Sequence, residues 1–439
     1  MNLTFVHVVD QVQYEPGTAQ LAALARRAGW NPVSLPVDYG TSKEAFLQML
    51  LDADPHVVAF RLTGETMEVV DYMAREVRAL RPSLPFLFYG PYCRTVTVEA
   101  GALPGPGVLL TGEPETAFAA LLAAWPLEGM GPLPGVQILG DAASPAEADL
   151  FHPDGAPAPE LAVFGGPRLL RKGRGTSFFG ELGTAPVETT LGSPLGLPPH
   201  AGLAAFNHPV ESRPRLRPLR PLLDELAALG SALRHIEVRD RPFGWDGEQG
   251  ERFLDHLERE FPATEFSLRV VPEPDLPAIL DRVDRSRCRR LVFELDAADR
   301  LAFGRLPEMR DPEALGRALD EASRRGFVTG LLVTVGLPHE TPEDIRMKLR
   351  FIRDHGVSRA RFFPFEPRYG SQLFALCTEE DLLPKGEEGW NREVYAPLDQ
   401  ACMDIEEWHK VWQECMNLSA ELQVQAAPTR VESHGGRPR

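Results

Sequence analysis

Glu188-Thr189-Thr190-Leu191-Gly192-Ser193-Pro194-Leu195-Gly196-Leu197-Pro198-Pro199-His200 divides the chain into two halves of different organisation. Its first residues read as the end of a strand. The rest is a loop, because closely spaced glycines and prolines interrupt both the helical and the strand hydrogen-bond pattern. The order of strands and helices on either side of this stretch decides the fold.

Upstream, short apolar runs at 3–9, 33–35, 56–60, 86–89 and 108–110 alternate with amphipathic stretches at 19–28, 43–51, 66–80 and 115–124. Five strands with four intervening helices predict a Rossmann-like, doubly wound parallel sheet over residues 1–125. Ligands of such a sheet sit beyond the carboxyl ends of its strands. Residues 126–185 are rich in Pro, Gly and Ala and read as a connecting segment with some short structure.

Downstream the alternation resumes and predicts a partial α/β barrel over 186–380. Strands are expected at 235–238, 266–271, 290–294, 331–335 and 361–364, with helices between them. A C-terminal helical extension follows at 381–426. Ala401, Ile405, Trp408, Trp412 and Cys415 form one stripe there, which predicts docking on the barrel. The polar tail 427–439 reads as disordered.

The chain has 439 residues, 43% of them hydrophobic, which suffices for two or three cores. Its formal charge of −17 argues against generic binding to nucleic acid or to an anionic membrane. The arginine-rich stretch 213–220 alternates with proline and leucine and reads as a solvated linker. Neither a secretory signal nor a membrane-spanning run is evident. The five cysteines are odd in number and widely spaced, which suits a reducing cytoplasm.

Several motifs now carry a resemblance. Asp54-Pro55-His56-Val57-Val58-Ala59-Phe60 precedes a loop containing Thr63 and Thr66. Tyr89-Gly90-Pro91-Tyr92 and Thr111-Gly112-Glu113-Pro114-Glu115-Thr116 follow at the next two strand ends. Gly336-Leu337-Pro338-His339-Glu340-Thr341-Pro342-Glu343-Asp344 and Pro367-Arg368-Tyr369-Gly370-Ser371 lie in the second half. In order and spacing these are similar to the motifs of cobalamin-binding-domain radical S-adenosylmethionine (radical SAM) proteins.

The resemblance implies cobalamin as a ligand of the first domain, with Thr63, Thr66, Gly90, Pro91, Gly112 and Glu113 around it. The histidine motif D-x-H-x-x-G of some cobalamin proteins is absent, and Tyr89 stands where the family has a glycine. In the barrel the resemblance implies a ligand site at Asp240, Arg269, Glu294 and Asp296. There Glu294-Leu295-Asp296-Ala297-Ala298 replaces the family's G-x-E-S-G and argues against room for S-adenosylmethionine. The run 336–344 also has a local account: Thr341 is an expected helix N-cap, Pro342 the first helical residue and Asp344 the capping-box partner.

The family spaces three cluster cysteines as C-x3-C-x2-C, and the corresponding positions here are Ser193, Leu197 and His200. Thiolates hold the irons of a [4Fe-4S] cluster; serine is a poor substitute and leucine none. His200 alone does not make a metal site. The sequence therefore predicts no [4Fe-4S] cluster, no metal site and no radical chemistry, and leaves open whether the protein is catalytic.

Two readings follow. One is a pseudoenzyme that binds a small molecule, a peptide or a partner protein, such as an intact radical SAM enzyme. The other is a non-radical enzyme using cobalamin or S-adenosylmethionine, such as a methyltransferase.

Overall fold

The computed structural model describes residues 1–8, 16–38, 40–62, 66–90, 93, 103, 107–111, 113–127, 129–139, 151, 156–164, 178–179, 182–191, 215–240, 247–272, 276–283, 287–295, 312–365, 372–383, 398 and 402–426. Two parallel sheets, each with its own helices, account for most of them.

The first sheet is built from β1 (Asn2–Val8), α1 (Pro16–Arg27), β2 (Asn31–Val37), α2 (Lys43–Asp52), β3 (Val57–Arg61), α3 (Met67–Leu80), β4 (Phe86–Tyr89), β5 (Gly107–Leu110), α4 (Pro114–Ala124) and β6 (Val136–Ile138). Its strand order is β2-β1-β3-β4-β5-β6, parallel except for the last pair. Both faces of the sheet are covered, so its strands are apolar on both sides. Val6, Phe60, Phe86 and Phe88 pack toward one layer of helices, and Leu3, Phe5, Leu87 and Tyr89 toward the other. The antiparallel edge strand β6 comes from the segment read as a connector. Its three residues are too few to show periodicity in the sequence.

The second sheet uses β7 (Thr184–Val187), then a small ribbon of β8 (Thr190–Leu191) with β9 (Arg215–Leu216), followed by α5 (Leu219–Ala228) and β10 (His235–Val238). It continues through α6 (Gly247–Glu260), β11 (Glu265–Arg269), α7 (Leu276–Arg282), β12 (Cys288–Leu295), α8 (Pro312–Arg324), β13 (Val328–Val335), α9 (Pro342–Asp354) and β14 (Arg359–Pro364). The order β14-β13-β12-β11-β10-β7 is wholly parallel, with each strand beside its neighbour in sequence. This is an open half-barrel. Alternate residues such as Ile236, Val238, Leu268, Phe293 and Val333 enter the core under the helices, and the intervening ones line the concave face.

Two helices complete the chain: α10 (Gln372–Glu379) and α11 (Ile405–Ala426). α11 begins where Asp404 accepts from the Glu407 N–H at 2.8 Å, while the Glu407 side chain accepts from the Asp404 N–H at 3.3 Å. Trp408, Val411, Cys415, Leu418 and Leu422 join the barrel core, and the Ser419 hydroxyl donates to the Ala360 carbonyl on β14. Trp408, Trp412 and Cys415 of the expected stripe thus dock on the barrel, Ala401 lies outside the described residues, and burial pushes the Cys415 thiol up to about 12. Ile405, expected on that stripe, is exposed because it opens the helix. Among the described residues, no helix is long and apolar enough to cross a membrane.

The run 336–344 folds as its sequence predicts. Thr341 accepts from the Asp344 N–H and Asp344 accepts from the Thr341 N–H, closing a capping box. Glu340 adds what local reading missed. Its carboxylate accepts the Gly336 N–H at 2.6 Å and the Leu337 N–H at 3.1 Å, and it pairs with the buried ammonium of Lys348. Lys348 also donates to the Thr334 carbonyl at 2.5 Å, so the pair ties the end of β13 to α9.

Candidate functional site

The candidate residues gather at two places, the carboxyl ends of the strands in each sheet. Thr63, Pro91, Gly112, Asp296, Ser193, Leu197 and His200 lie outside the described residues. Thr66, Gly90 and Glu113 follow β3, β4 and β5 in the first sheet, whereas Asp240, Arg269 and Glu294 stand at the ends of β10, β11 and β12.

At the first end, Gly90 has φ +120°, a conformation costly for any residue with a side chain. A Cβ there would lie 2.5 Å from the Leu62 carbonyl oxygen, and the Leu62 N–H donates to the Tyr89 carbonyl at 2.7 Å. The backbones after β3 and β4 are therefore in close contact, and only glycine fits. Tyr89 is turned inward. It packs edge-on against Phe5, and its hydroxyl lies 2.8 Å from that of Thr18 in the first turn of α1. Thr66 is buried at the start of α3.

Glu113 precedes α4 and is buried, but its side chain does not cap that helix. Its carboxylate accepts the Phe151 N–H at 2.7 Å and receives both terminal nitrogens of Arg215, one at 2.7 Å and the other closer. Arg215 also donates to the Phe151 carbonyl at 2.6 Å. This forked pair joins the first sheet to β9 in the two-stranded ribbon.

The stretch 213–220, expected to be a solvated linker, is thereby corrected. Arg215 and Arg217 are both 12% exposed in their side chains, and Arg217 pairs with buried Glu225 at 3.5 Å. Among the described arginines of the stretch, Arg220, paired with Asp224 on the surface of α5, matches the solvated picture, and Arg213 lies outside the described residues. The partners lie far away in sequence, so composition could not reveal them.

In the half-barrel, Asp240 is the most heavily hydrogen-bonded of the expected residues. Oδ1 accepts the N–H groups of Thr189 and Thr190 and the Thr190 hydroxyl at 2.7, 2.9 and 2.9 Å, and Oδ2 accepts the Thr189 hydroxyl at 2.6 Å. The side chain anchors β8, where the 192–214 segment begins. Burial pushes its carboxyl up to about 6, against the opposing pull of those donors.

β9 returns beside β8, with Thr190 opposite Leu216 and Leu191 opposite Arg215. Gln249 on α6 donates to the carbonyls of Thr189 and Arg217 and fastens the ribbon from below. Arg269 and Glu294, on adjacent strands, form a largely buried ion pair at 3.5 Å.

Three further groups on the concave face were missed. Glu237 on β10 accepts from the Phe178 N–H at 2.6 Å and from Arg239 Nε at 2.7 Å. Arg361 on β14 faces the same carboxylate, and burial lowers its pKa. Phe178 and Phe179 form the floor: Arg359 and Arg361 lie over the Phe178 ring, and a Cβ on Gly330 would meet that ring at 2.3 Å. Alternation within β10 and β14 marks these positions as facing away from the helices. It does not say that they meet.

No family model matches the sequence, and no curated protein matches it. Solved structures do. The fold is similar to the radical S-adenosylmethionine methyltransferase TsrM from Kitasatospora setae, with cobalamin and a [4Fe-4S] cluster bound. The TM-score is 0.61 at 14% identity, covering 86% of this chain and 75% of that one. It is also similar to the cobalamin-dependent S-adenosylmethionine radical enzyme OxsB, with aqua-cobalamin and S-adenosylmethionine bound. There the TM-score is 0.67 at 12% identity, covering 94% of this chain and 66% of that one. At these identities the likeness speaks for architecture: the chain has the fold of the cobalamin-dependent radical SAM enzymes.

Proposed function

We propose that the protein is a non-radical relative of these enzymes, a pseudoenzyme that keeps the two-sheet scaffold to bind a small molecule, a peptide or a partner protein. An intact radical SAM enzyme is one such partner. The observation that carries this reading is the segment between β8 and β9, residues 192–214, which contains no cysteine. The residues present do not fit a [4Fe-4S] cluster, because hydroxyl, isobutyl and a single imidazole cannot replace three thiolates.

The chain's own cysteines offer no substitute in the described structure. Cys288 is buried at the start of β12, at the opposite end of the strand from the ligand side, and Cys93 belongs to the other sheet. Cys377 packs in a small cluster with Phe365 and Leu373, Cys415 is sealed under α11, and the half-buried Cys402 turns its thiol to the Glu340 carbonyl at 3.5 Å.

The test is reconstitution of anaerobically purified protein with iron and sulfide, followed by metal analysis, absorbance and incubation with S-adenosylmethionine under reduction. The expected protein is colourless, free of iron and sulfide, and leaves S-adenosylmethionine intact. A stoichiometric cluster would overturn the proposal.

A second reading is favoured by Gly90 and Tyr89. The tight turn after β4 is kept, and the tyrosine that replaces a glycine points under α1, away from the strand ends. Thr66, Gly90 and Glu113 would then border a bound cobalamin, which would supply a methyl-carrying cobalt for polar methyl transfer. Failure to retain cobalamin after incubation and gel filtration removes this alternative and leaves the first one standing.

A further inference from the structure

A cleft of about 600 Å³ lies between the two halves of the molecule, walled by α1 of the first sheet and α5 of the half-barrel, with residues 157–162 along it. Arg26 and Arg27 end α1 shortly before β2, and Ala228 and Leu229 end α5 on the way to β10. The cleft therefore lies toward the amino ends of the strands in both sheets. Thr66, Glu113, Asp240 and Glu294 stand at the carboxyl ends, so this is a different place from the candidate site.

The run Ala156-Pro157-Ala158-Pro159-Glu160-Leu161-Ala162 is fastened to α1. Gln20 donates to the Pro157 carbonyl at 3.1 Å, the Glu160 N–H donates to the Ala19 carbonyl at 2.9 Å, and Arg26 Nε donates to both Glu160 oxygens at 3.2 and 3.1 Å. Together they form one wall, which gives Ala23, Ala158, Pro159 and Ala162 to the cleft; Ala228 and Leu229 come from the other half. Ala158, Ala162 and Ala228 are exposed, and their small side chains are what leaves the space open.

The charged groups on these walls are already engaged. Arg26 is committed to Glu160, Glu225 to Arg217 at 3.5 Å and Asp224 to Arg220, and Arg27 is not free either. Pro157 and Pro159 have no N–H to offer, and the Pro157 carbonyl is taken by Gln20. A charged ligand would lose hydration here without gaining a partner, whereas apolar surface moved out of water is favoured. Small-molecule sites enclose roughly 300–1,000 Å³ and form preferentially where domains meet. This cleft has that size, and the buried pair of Glu113 and Arg215 joins the same two halves elsewhere.

We propose that the cleft between α1 and α5 binds an uncharged, mainly apolar small molecule that touches both halves of the chain. This rests on the reading of the protein as a ligand-binding scaffold, and it names the place and the class of ligand. A molecule bound there holds the halves together and stabilises the folded chain by mass action.

The test uses the full chain and the neutral probe N-phenyl-1-naphthylamine, with 1-anilinonaphthalene-8-sulfonate as its anionic counterpart. The expected result is one saturable site for the neutral probe, a higher unfolding temperature in its presence, and weaker binding of the anion. Ala162→Phe and Ala228→Phe fill the cleft from separate walls, and each should weaken the neutral probe about tenfold or more. Both alanines are exposed, so the larger rings are compatible with the fold; unfolding temperatures without probe check this, and two walls keep the test usable. Tyr72→Ser removes an exposed aromatic ring from α3 and should leave binding unchanged.

Neutral-probe binding that survives both phenylalanine variants, that is lost in Tyr72→Ser, or that is no tighter than binding of the anion overturns the proposal. Binding that falls as protein concentration rises, with a dimer in sedimentation, assigns the cleft to a second copy of the chain and overturns it too. Iron and cobalamin assays are independent of this titration, so failure here is distinguishable from failure of the functional reading.

Discussion

Asp240 offers the sharpest perturbation, because replacing it by alanine and by asparagine should have opposite consequences. Asp240→Ala removes the acceptor for two backbone N–H groups and two hydroxyls at the start of β8. The hydroxyls can turn elsewhere; the backbone donors cannot. Stranding a buried donor costs about 1–3 kcal/mol, so two of them set a loss of roughly 2–6 kcal/mol.

Asp240→Asn keeps Oδ1 and its three donors, and the Thr189 hydroxyl can rotate to accept from the new amide. Charge is all that changes. Since burial raises the folded carboxyl from 3.8 to about 6, the folded state holds its proton more tightly than the unfolded chain. Stability of the wild type therefore falls as pH rises from about 4 to 6, by roughly 3 kcal/mol, and levels off above. The asparagine variant lacks this slope.

Urea unfolding of the three proteins at pH 4, 5, 6 and 8 measures both effects. The expected curves show the alanine variant weakest throughout, with the asparagine variant gaining on wild type as pH rises. An asparagine variant as damaged as the alanine one, or a wild type that gains stability against it between pH 4 and 6, would refute the reasoning. Limited proteolysis at neutral pH should also show faster cleavage between β8 and β9 in Asp240→Ala than in Asp240→Asn.

Lys348→Met leaves the Glu340 carboxylate buried without its cation and should lower stability by about 3–5 kcal/mol, measured by denaturant unfolding; Lys348→Met with Glu340→Leu should recover part of that loss. Arg215→Met should lower the unfolding temperature and separate the melting of the two sheets in calorimetry, because it cuts the forked pair to Glu113. Gly90→Ala forces a Cβ to 2.5 Å from the Leu62 carbonyl oxygen at φ +120°, so the first sheet should melt earlier, with a loss larger than the roughly 0.4–1 kcal/mol that a glycine-to-alanine change gains at a compatible site.

The parallel sheets were legible because their strands are buried on both faces and read as continuous apolar runs between amphipathic helices. The capping box at Thr341 was legible because its partners are three residues apart. Arg215 and Glu113 were not, although each was noticed, since their meeting depends on how two sheets are placed and not on any local spacing. Asp240 was singled out as a ligand residue from its position at a strand end. Its four hydrogen bonds to residues fifty positions earlier became visible only with the fold. Glu237 and Arg361 lie in runs that were read as strands but were given no role, because charged residues alternating on a strand look like an ordinary solvated face until the sheet curls around them.

The ribbon of β8 and β9 has a consequence for how such a protein can change over time. Its two ends are fixed to each other, to Asp240, to Gln249 and through Arg215 to the first sheet. Residues 192–214 therefore begin and end at points that the rest of the chain holds in place. Sequence between those points can drift without shifting the register of any barrel strand. On the proposed reading, a loop enclosed this way could lose its cysteines while selection on folding stays blind to the loss, so chemistry and architecture would become separately heritable.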